Sequence, residues 1–347
     1  YNSAVYQFHQ QDDHTSPLAQ IYWQCRDWSY AYFKRFYAAI QVKPFDKFYP
    51  ESSVIARGQS IVKAHHGTVF VDSDGAVVFR GEAVGQHTRV FITSAGLPTY
   101  ETKDLGVILT EVDDFAYDRR IIMTGNDQVD YMRVVFAALK QIDEPLAAKQ
   151  VHLTNGTVRF GDGRKMSSRL GNVLTANQVL EAVGQAVEAP TEQLKRDITL
   201  GAIKYAFLKQ RLGGDIAFDI EESVSLQGNS GPYLQYAHAR ACSILGKAAD
   251  KSTARPLSKP TFEAGERSLV RQLGQFQAVV DQSIAELSPH LICTYLYELA
   301  QVFNRFYEKN RVLDDPRQAV RLALVQLYAQ TLRTGLELLN IPAPRHI

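Results

Sequence analysis

The spacing of hydrophobic positions changes along this chain, from short alternating runs to long helical repeats. Between residues 67 and 79, apolar and polar residues alternate on either side of Asp72–Gly75 (DSDG), which predicts a β-hairpin with an Asp-Gly turn. After residue 175, apolar residues recur at helical spacing in nearly every segment. The chain is therefore expected to begin as a mixed α/β region and to continue as helices.

Strands and helices alternate in the α/β region. The pattern predicts strands over 89–93, 120–124 and 151–154, and helices over 100–111 and 128–140. This alternation favours parallel pairing of the strands and an α/β fold. Further helices are predicted over 175–183, 198–212, 233–249, 269–287, 293–310 and 319–339.

The first 40 residues are rich in aromatic side chains. The spacing of Trp28, Tyr32, Phe33, Phe36 and Tyr37 suits an amphipathic helix. We expect these aromatic residues to belong to a hydrophobic core rather than to a platform for stacking bases.

Length and composition suit two domains with hydrophobic cores. The chain has 347 residues, of which 45% are hydrophobic. Residues 227–232 (QGNSGP) have the composition of a linker, which predicts domains at 1–228 and 229–347. Because the net charge is only +1, any nucleic-acid surface must be a local basic patch.

The cysteines and the hydropathy favour a cytoplasmic setting. Cys25, Cys242 and Cys293 are far apart and odd in number, which fits neither a disulfide framework nor a zinc site. No apolar run approaches the ~20 residues of a membrane span, and the first residues do not have the pattern of a leader. We expect no membrane partner.

One glycine-bounded loop, Gly163–Asn172 (GRKMSSRLGN), concentrates cations and hydroxyl groups ahead of a predicted helix. Glycine permits close backbone approach to a ligand, and such side chains can bind phosphate oxygens. The loop differs from the Walker pattern, and a solvated basic turn is the alternative interpretation.

This loop resembles the KMSKS loop of class I aminoacyl-tRNA synthetases, in the form typical of the arginyl-tRNA synthetase family. Other segments resemble parts of the same family in the same order along nearly the whole chain. These segments are 45–52 (FDKFYPES), 97–106 (LPTYETKDLG), 230–240 (SGPYLQYAHAR), 303–307 (FNRFY) and 333–344.

The resemblance implies a fold and an activity. The fold would be the partial nucleotide-binding (Rossmann-like) parallel sheet of a class I synthetase over 1–228, followed by an all-α anticodon-binding bundle of the DALR type over 229–347. The activity would be ATP-dependent activation of L-arginine and its transfer to the 3′ end of tRNA(Arg). ATP would bring Mg²⁺, no zinc is implied, and a monomer is expected.

The HIGH tetrapeptide of class I synthetases does not occur in this sequence. The N-terminal tRNA-contacting domain of the family has no counterpart here either. We therefore expect this chain to be an incomplete enzyme that binds tRNA weakly and does not aminoacylate by itself.

The resemblance assigns the phosphate chemistry to the loop. Charge develops on pyrophosphate when the arginine carboxylate attacks the α-phosphorus of ATP, and fixed cations and donors stabilise that charge. Lys165, Ser167, Ser168 and Arg169 are the predicted catalytic residues, and Met166 joins the first three in contacting ATP. Ser168 stands where the general motif has a second lysine.

The resemblance also assigns the arginine pocket. Tyr100 and Asp104 are four residues apart and share a helix face, so a carboxylate and a ring could hold one guanidinium group. Glu51 matches a second carboxylate of the pocket, and Gln128 falls where the family places a glutamine near the substrate amino group. The paired carboxylates are expected to reject lysine through geometry. An ordinary amphipathic helix face is the alternative for Tyr100 and Asp104.

The helical region supplies candidates for tRNA contact, because aromatic rings can stack on unpaired bases while arginine holds phosphate. Half of the tyrosines could instead be core residues. The candidates are Tyr233, Tyr236, His238, Arg240, Asn304, Arg305 and Tyr307.

Two other functions stay open from the sequence. One is a different class I ligase, such as a cysteinyl or valyl enzyme, although a small apolar substrate would not need Glu51 and Asp104. The other is a non-catalytic tRNA-binding protein.

Overall fold

The structure is a computed structural model that describes residues 2–160, 175–249 and 261–347. The predicted loop Gly163–Asn172 lies outside these residues. The chain divides into two compact units, Tyr1–Gly156 and Thr157–Ile347.

The first unit combines six α-helices and five strands within its described residues. In chain order these are α1 (Asn2–Gln11), α2 (Pro17–Ala39), α3 (Glu51–Ala64), β1 (Val71–Ser73), β2 (Ala76–Phe79), β3 (Arg89–Ile92), α4 (Tyr100–Asp114), β4 (Arg120–Gly125), α5 (Val129–Ile142), α6 (Glu144–Ala148) and β5 (Gln150–Asn155).

Two sheets form in this unit, and one of them departs from the expected parallel pairing. Strands β4 and β5 pair in parallel, with Arg120 opposite Gln150, as the alternation predicts. Strands β1, β2 and β3 pair antiparallel in that order. Parallel pairing was the wrong expectation for β3, because the segment between β2 and β3 is shorter than the dozen or so residues that a crossover needs. The predicted hairpin turn is confirmed, since Asp74 and Gly75 both have positive φ.

Helices α3 and α4 cross at very short range. A Cβ atom on Gly58 would lie 2.1 Å from the Thr102 carbonyl oxygen, and one on Gly106 would lie 2.3 Å from the Val54 carbonyl oxygen. This contact fixes the start of α3 against the first turns of α4. It therefore sets the positions of two predicted pocket residues, Glu51 and Tyr100.

Helix α2 does not supply the core residues that its aromatic pattern suggested. Ala19 is its one buried residue, and Trp28 is 64% exposed. Tyr30 and Phe33 are also exposed. The expectation of a buried aromatic face was wrong for this helix, because spacing defines a face without specifying what covers it.

The second unit contains helices and one small parallel sheet within its described residues. Its elements are β6 (Val158–Phe160), α7 (Ala176–Ala186), α8 (Glu192–Leu208), β7 (Ile216–Phe218), α9 (Ile220–Val224), α10 (Gly231–Ala249), α11 (Ala264–Gly274), α12 (Phe276–Glu286), α13 (His290–Lys309) and α14 (Gln318–Leu338).

The predicted helices are confirmed here, but one of them is divided in two, and the short elements β6, β7 and α9 were not predicted. The segment predicted as one helix over 269–287 is two helices that separate at Gln275, where the chain turns so that Phe276 packs on Tyr295. Strands β6 and β7 pair with each other, with Val158 opposite Ile216. Neither strand was predicted, because three residues are too few to display an alternating pattern.

Helix α8 is built into the core of the helical bundle. The Tyr205 side chain is fully buried, and its hydroxyl donates to the Asn229 side chain (2.6 Å) and to the Cys293 carbonyl (3.1 Å). The Gln235 amide of α10 donates to the Asp197 carbonyl at 2.9 Å. The predicted linker therefore packs closely beside α8, and the domain boundary near residue 228 stays a prediction.

Gly231→Ala is expected to destabilise the protein by about 1–3 kcal/mol through overpacking. A Cβ atom at this position would lie 2.0 Å from the Gly201 carbonyl oxygen, where backbone would have to move. Gly246→Ala in the same helix is the control, because a Cβ atom there has nothing within 4 Å. Alanine should stabilise that position by at most ~1 kcal/mol. Equal urea midpoints for the two variants would contradict the close packing of α8 and α10.

Candidate functional site

A cleft of about 840 Å³ lies within the first unit. Helices α1, α2 and α3 form part of its wall, and the segment that connects β3 to α4 forms the rest together with the first turn of α4. Tyr22, Arg26, Glu51, Tyr100 and Lys103 are among its lining residues. The wall thus combines aromatic rings with charges of both signs, which suits a ligand with a cationic group.

Glu51 and Tyr100 both line the cleft, and each begins a helix. Glu51 follows Pro50 at the start of α3, where a negative charge is favoured by the helix dipole. Tyr100 starts α4, and its side chain is 64% exposed in the cleft wall. A carboxylate and a ring face are therefore available together to a cation.

A lysine of the chain occupies the space between these two groups. Lys103 Nζ donates to the Glu51 carboxylate at 2.7 Å and lies 4.6 Å from the centre of the Tyr100 ring. The lysine side chain is 21% exposed. Its three-residue offset from Tyr100 places it on the same face of α4.

Asp104 lies one turn after Tyr100 and is half-buried rather than part of the cleft lining. The Tyr131 hydroxyl of α5 donates a hydrogen bond to its carboxylate. Burial raises the pKa of Asp104, and the bond from Tyr131 and the charge of Arg120 partly offset this rise. The guanidinium group of Arg89 lies 5.6 Å from the centre of the Tyr131 ring.

Gln128 is exposed at the end of the turn that follows β4. Its side-chain amide donates to Asp127 at 3.3 Å, and Gln128 is not among the residues that line the cleft. Glu51 and Tyr100 therefore share the cleft wall and are linked through Lys103, whereas neither Asp104 nor Gln128 is among the residues that line the cleft. Sequence reasoning missed Lys103, for which helical spacing from Tyr100 was the available signal.

Helices α10 and α13 meet at a second candidate surface in the second unit. The Asn304 side-chain amide donates to the Tyr233 hydroxyl at 2.8 Å. The Asn304 side-chain oxygen (Oδ1) has no hydrogen-bond partner among the described residues. Burial raises the pKa of Tyr233, while the bond from Asn304 and the charges of Arg240 and Arg305 oppose this rise. Arg240 lies 5.0 Å from the centre of the Tyr236 ring. Two arginines and two aromatic rings are thus grouped here.

Two further tRNA candidates have different surroundings. Tyr307 is 39% exposed and stacks on Phe303, with ring centres 6.2 Å apart. His238 is 2% exposed, and its Nδ1 atom lies 2.8 Å from the Pro344 carbonyl oxygen. Burial lowers the pKa of His238. A direct contact between His238 and RNA would require the C-terminal segment to move.

The described residues offer no group of three or more His, Cys, Asp or Glu side chains that could hold a metal ion. All three cysteines are free. Among the helices of the described ranges, none is long and apolar enough to cross a membrane.

The α/β region and the helical region of the chain each match a known protein family. Residues 2–220 match the family model of the tRNA synthetases class I (R), catalytic domain, and residues 234–347 match that of the DALR anticodon binding domain. The fold and the matched domains are those of a class I aminoacyl-tRNA synthetase. The chain is 31% identical over 352 residues to the arginine–tRNA ligase of Flavobacterium psychrophilum, covering 95% of this chain and 58% of that relative. This chain belongs to the arginyl-tRNA synthetase family, as its motifs predicted.

Solved structures show the same fold. The arginyl-tRNA synthetase of Thermus thermophilus aligns with a TM-score of 0.74 and 26% identity, covering 85% of this chain and 58% of that one. The arginyl-tRNA synthetase of Plasmodium falciparum aligns with a TM-score of 0.81 and 19% identity, covering 99% of this chain and 62% of that one. This chain spans 58% of the length of the Flavobacterium psychrophilum relative.

Proposed function

We propose that this chain takes part in arginine–tRNA ligation, the ATP-dependent activation of L-arginine followed by its transfer to the 3′ end of tRNA(Arg). The observation that carries the proposal is the cation site in the cleft. The Glu51 carboxylate and the Tyr100 ring already hold an ammonium group, within residues that match the catalytic domain of this family.

A guanidinium group suits this site for two physical reasons. Its N–H groups can form paired, charge-assisted hydrogen bonds with a carboxylate, and its plane can stack against an aromatic ring. Glu51 would provide the first contact and Tyr100 the second. Gln128 would contact the amino end of the substrate, as the family resemblance implies.

Discrimination against lysine must depend on more than these two residues. The site accommodates the ammonium of Lys103, so Glu51 and Tyr100 together do not exclude such a group. Asp104 is the group that would distinguish the substrates, because a guanidinium can reach a second acceptor with a different pair of N–H groups.

The phosphate chemistry is proposed for the loop that lies outside the described residues. Lys165, Ser167, Ser168 and Arg169 would stabilise charge on the pyrophosphate as it leaves, and Met166 would contact ATP. Mg²⁺ would arrive with ATP and neutralise phosphate charge. The absence of zinc, a monomeric state and a cytoplasmic location stay predictions.

Amino acid selectivity tests this proposal. ATP–pyrophosphate exchange is measured with the protein expressed from its complete reading frame, in the presence of tRNA(Arg). L-arginine should support exchange, whereas L-lysine and L-citrulline, which has the shape of arginine without the charge, should not. Exchange with a small apolar amino acid would favour a cysteinyl or valyl ligase.

A tRNA partner is proposed for the surface where α10 and α13 meet. Its support is the grouping of Tyr233, Tyr236, Arg240 and Arg305 within or beside residues that match an anticodon-binding domain. Exposed rings could stack on unpaired bases, and the arginines could hold phosphates.

Arg240→Ala should weaken tRNA(Arg) binding and reduce the slope of log K against log salt by about one unit, because one phosphate contact is lost. Fluorescence anisotropy with labelled transcript measures both quantities. Arg271→Ala, at an exposed arginine of α11, serves as the control and should leave the slope unchanged. A salt slope that is identical in the wild-type chain and the Arg240→Ala chain would place the RNA elsewhere.

A further inference from the structure

We propose that Lys103 is a built-in occupant of the cation site, and that the substrate guanidinium must displace it from Glu51 and Tyr100. The inference rests on the proposed function for the identity of the substrate. The presence of a competing cation in the site rests on the contacts alone.

Lys103 makes the contacts that are expected of a bound cation. Its ammonium donates to the Glu51 carboxylate at 2.7 Å and lies 4.6 Å from the centre of the Tyr100 ring. The ammonium neutralises the Glu51 carboxylate, and the Tyr100 ring turns its negative face toward the ammonium. A ligand cation bound to the same two groups would meet the positive charge of Lys103 at close range, so both cannot occupy the site together.

The tether makes Lys103 an effective competitor. Lys103 is three residues after Tyr100 on α4, so its ammonium is always present at high local concentration. The apparent affinity of a ligand falls in proportion to the fraction of molecules in which its site is open. The apparent affinity of any monovalent cation that binds to Glu51 and Tyr100 should therefore be lowered by the same factor.

Displacement of Lys103 differs measurably from other roles that a lysine could have in the site. Removal of a competitor should strengthen binding of methylguanidinium and methylammonium by equal factors. A lysine that contacted the ligand directly would change the two affinities unequally, or would weaken binding when removed. Both cations carry one positive charge, so the loss of the lysine charge affects them alike.

The experiment titrates the 347-residue chain with methylguanidinium chloride and with methylammonium chloride at constant ionic strength. Binding is followed by ¹⁹F NMR of 3-fluorotyrosine, with the Tyr100 signal assigned from Tyr100→Phe. The chains are the wild type, Lys103→Met and Lys103→Gln, with thermal unfolding of each to confirm that it folds. Lys63→Met is the matched control, because it removes an exposed lysine in the last turn of α3 that does not line the cleft.

Both Lys103 variants are expected to bind each cation about three- to thirtyfold more tightly. This factor corresponds to the loss of one exposed ion pair and one cation–π contact that compete with the ligand. Adding Glu51→Gln to Lys103→Met should remove the gain, and Lys63→Met should change affinity by less than twofold. Unchanged or weaker binding in the Lys103 variants would overturn the inference. An equal gain in Lys63→Met would also overturn it, since the effect would then come from the net charge of the protein.

L-arginine in the same titration separates this inference from the proposed function. If methylguanidinium binding strengthens in Lys103→Met but L-arginine binds no better than methylguanidinium, the competing lysine stands and the arginine assignment fails. If neither ligand gains affinity while the complete protein charges tRNA with arginine, the proposed function stands and the competing lysine is rejected.

Discussion

Glu266→Gln is expected to lower the free energy of unfolding at pH 7 by about 1.5–3 kcal/mol, because it removes the charged hydrogen bonds to Arg317 and Arg321 while Arg321 keeps ion pairs with Glu263 and Asp315. The Glu266 side chain is fully buried at the start of α11. Arg317, the residue before α14, donates to it through Nε at 2.8 Å, and Arg321 of the first turn of α14 donates through Nε at 3.1 Å. The Glu263 backbone N–H donates to it at 2.9 Å. This network therefore joins α11 to α14 within the residues that match the anticodon binding domain.

The pH dependence of the same variant follows from the pKa of Glu266. Burial alone would raise this pKa, but the bonds from Arg317, the Glu263 backbone and Arg321 outweigh burial and lower it from 4.5 to about 2. A depressed carboxyl pKa stabilises the fold fully above the unfolded value and loses this contribution as pH falls toward the folded value. The difference between wild type and variant should thus shrink between pH 4.5 and 2.

Chemical unfolding followed by far-ultraviolet circular dichroism measures both effects. Glu337→Gln is the control, since Glu337 is 60% exposed and pairs with Arg333 in a surface contact. Such pairs contribute about 0–1 kcal/mol. If Glu266→Gln were no more destabilising than Glu337→Gln, the network would not hold α11 to α14.

Asp104→Asn is expected to raise the KM for arginine by at least about tenfold, because losing a charged partner in a partly desolvated site costs about 2–5 kcal/mol. Asparagine keeps an oxygen that can accept the Tyr131 hydrogen bond, so the local structure should survive. The measurement is ATP–pyrophosphate exchange by the protein expressed from its complete reading frame.

Asp113→Asn is the control for this change. It makes the same substitution on the same helix, at an exposed carboxylate that pairs with Arg57 at 3.0 Å. Its KM should match the wild type. An Asp104→Asn enzyme with normal arginine affinity would assign Asp104 to the structure of the helix pair rather than to the substrate.

The raised pKa of Asp104 adds a second readout. Burial favours the neutral acid, so Asp104 should take up a proton at a higher pH than an ordinary aspartate. Protonation removes the charge that attracts guanidinium, and arginine affinity should decrease as pH falls through this raised pKa. The Asp104→Asn enzyme should lack this part of the acid dependence.

The sequence was sufficient for features that depend on local patterns. The Asp-Gly hairpin, the parallel pair β4–β5 and most helices follow from spacing and turn residues that lie close together in the chain. The family could also be predicted, because its segments occur in order. Several motifs in the same order along the chain identify a family, whereas a single residue such as Tyr100 does not.

Other features depend on partners that are distant in the chain. Lys103 meets Glu51 across 52 residues, and Tyr131 meets Asp104 across 27. Spacing on α4 shows which side chains share a face but not which group from another helix they contact. The expectation for α2 was wrong for the same reason, since an amphipathic pattern does not specify which surface covers the apolar face.

Formation of arginyl-tRNA is the most direct test of the account. The protein expressed from its complete reading frame is incubated with ATP, Mg²⁺, tRNA(Arg) and labelled L-arginine, and aminoacylated tRNA is separated on an acid gel. We predict that arginine, and not lysine or citrulline, becomes attached to the tRNA. Binding of tRNA(Arg) without any charging would contradict the account and would identify a non-catalytic tRNA-binding protein.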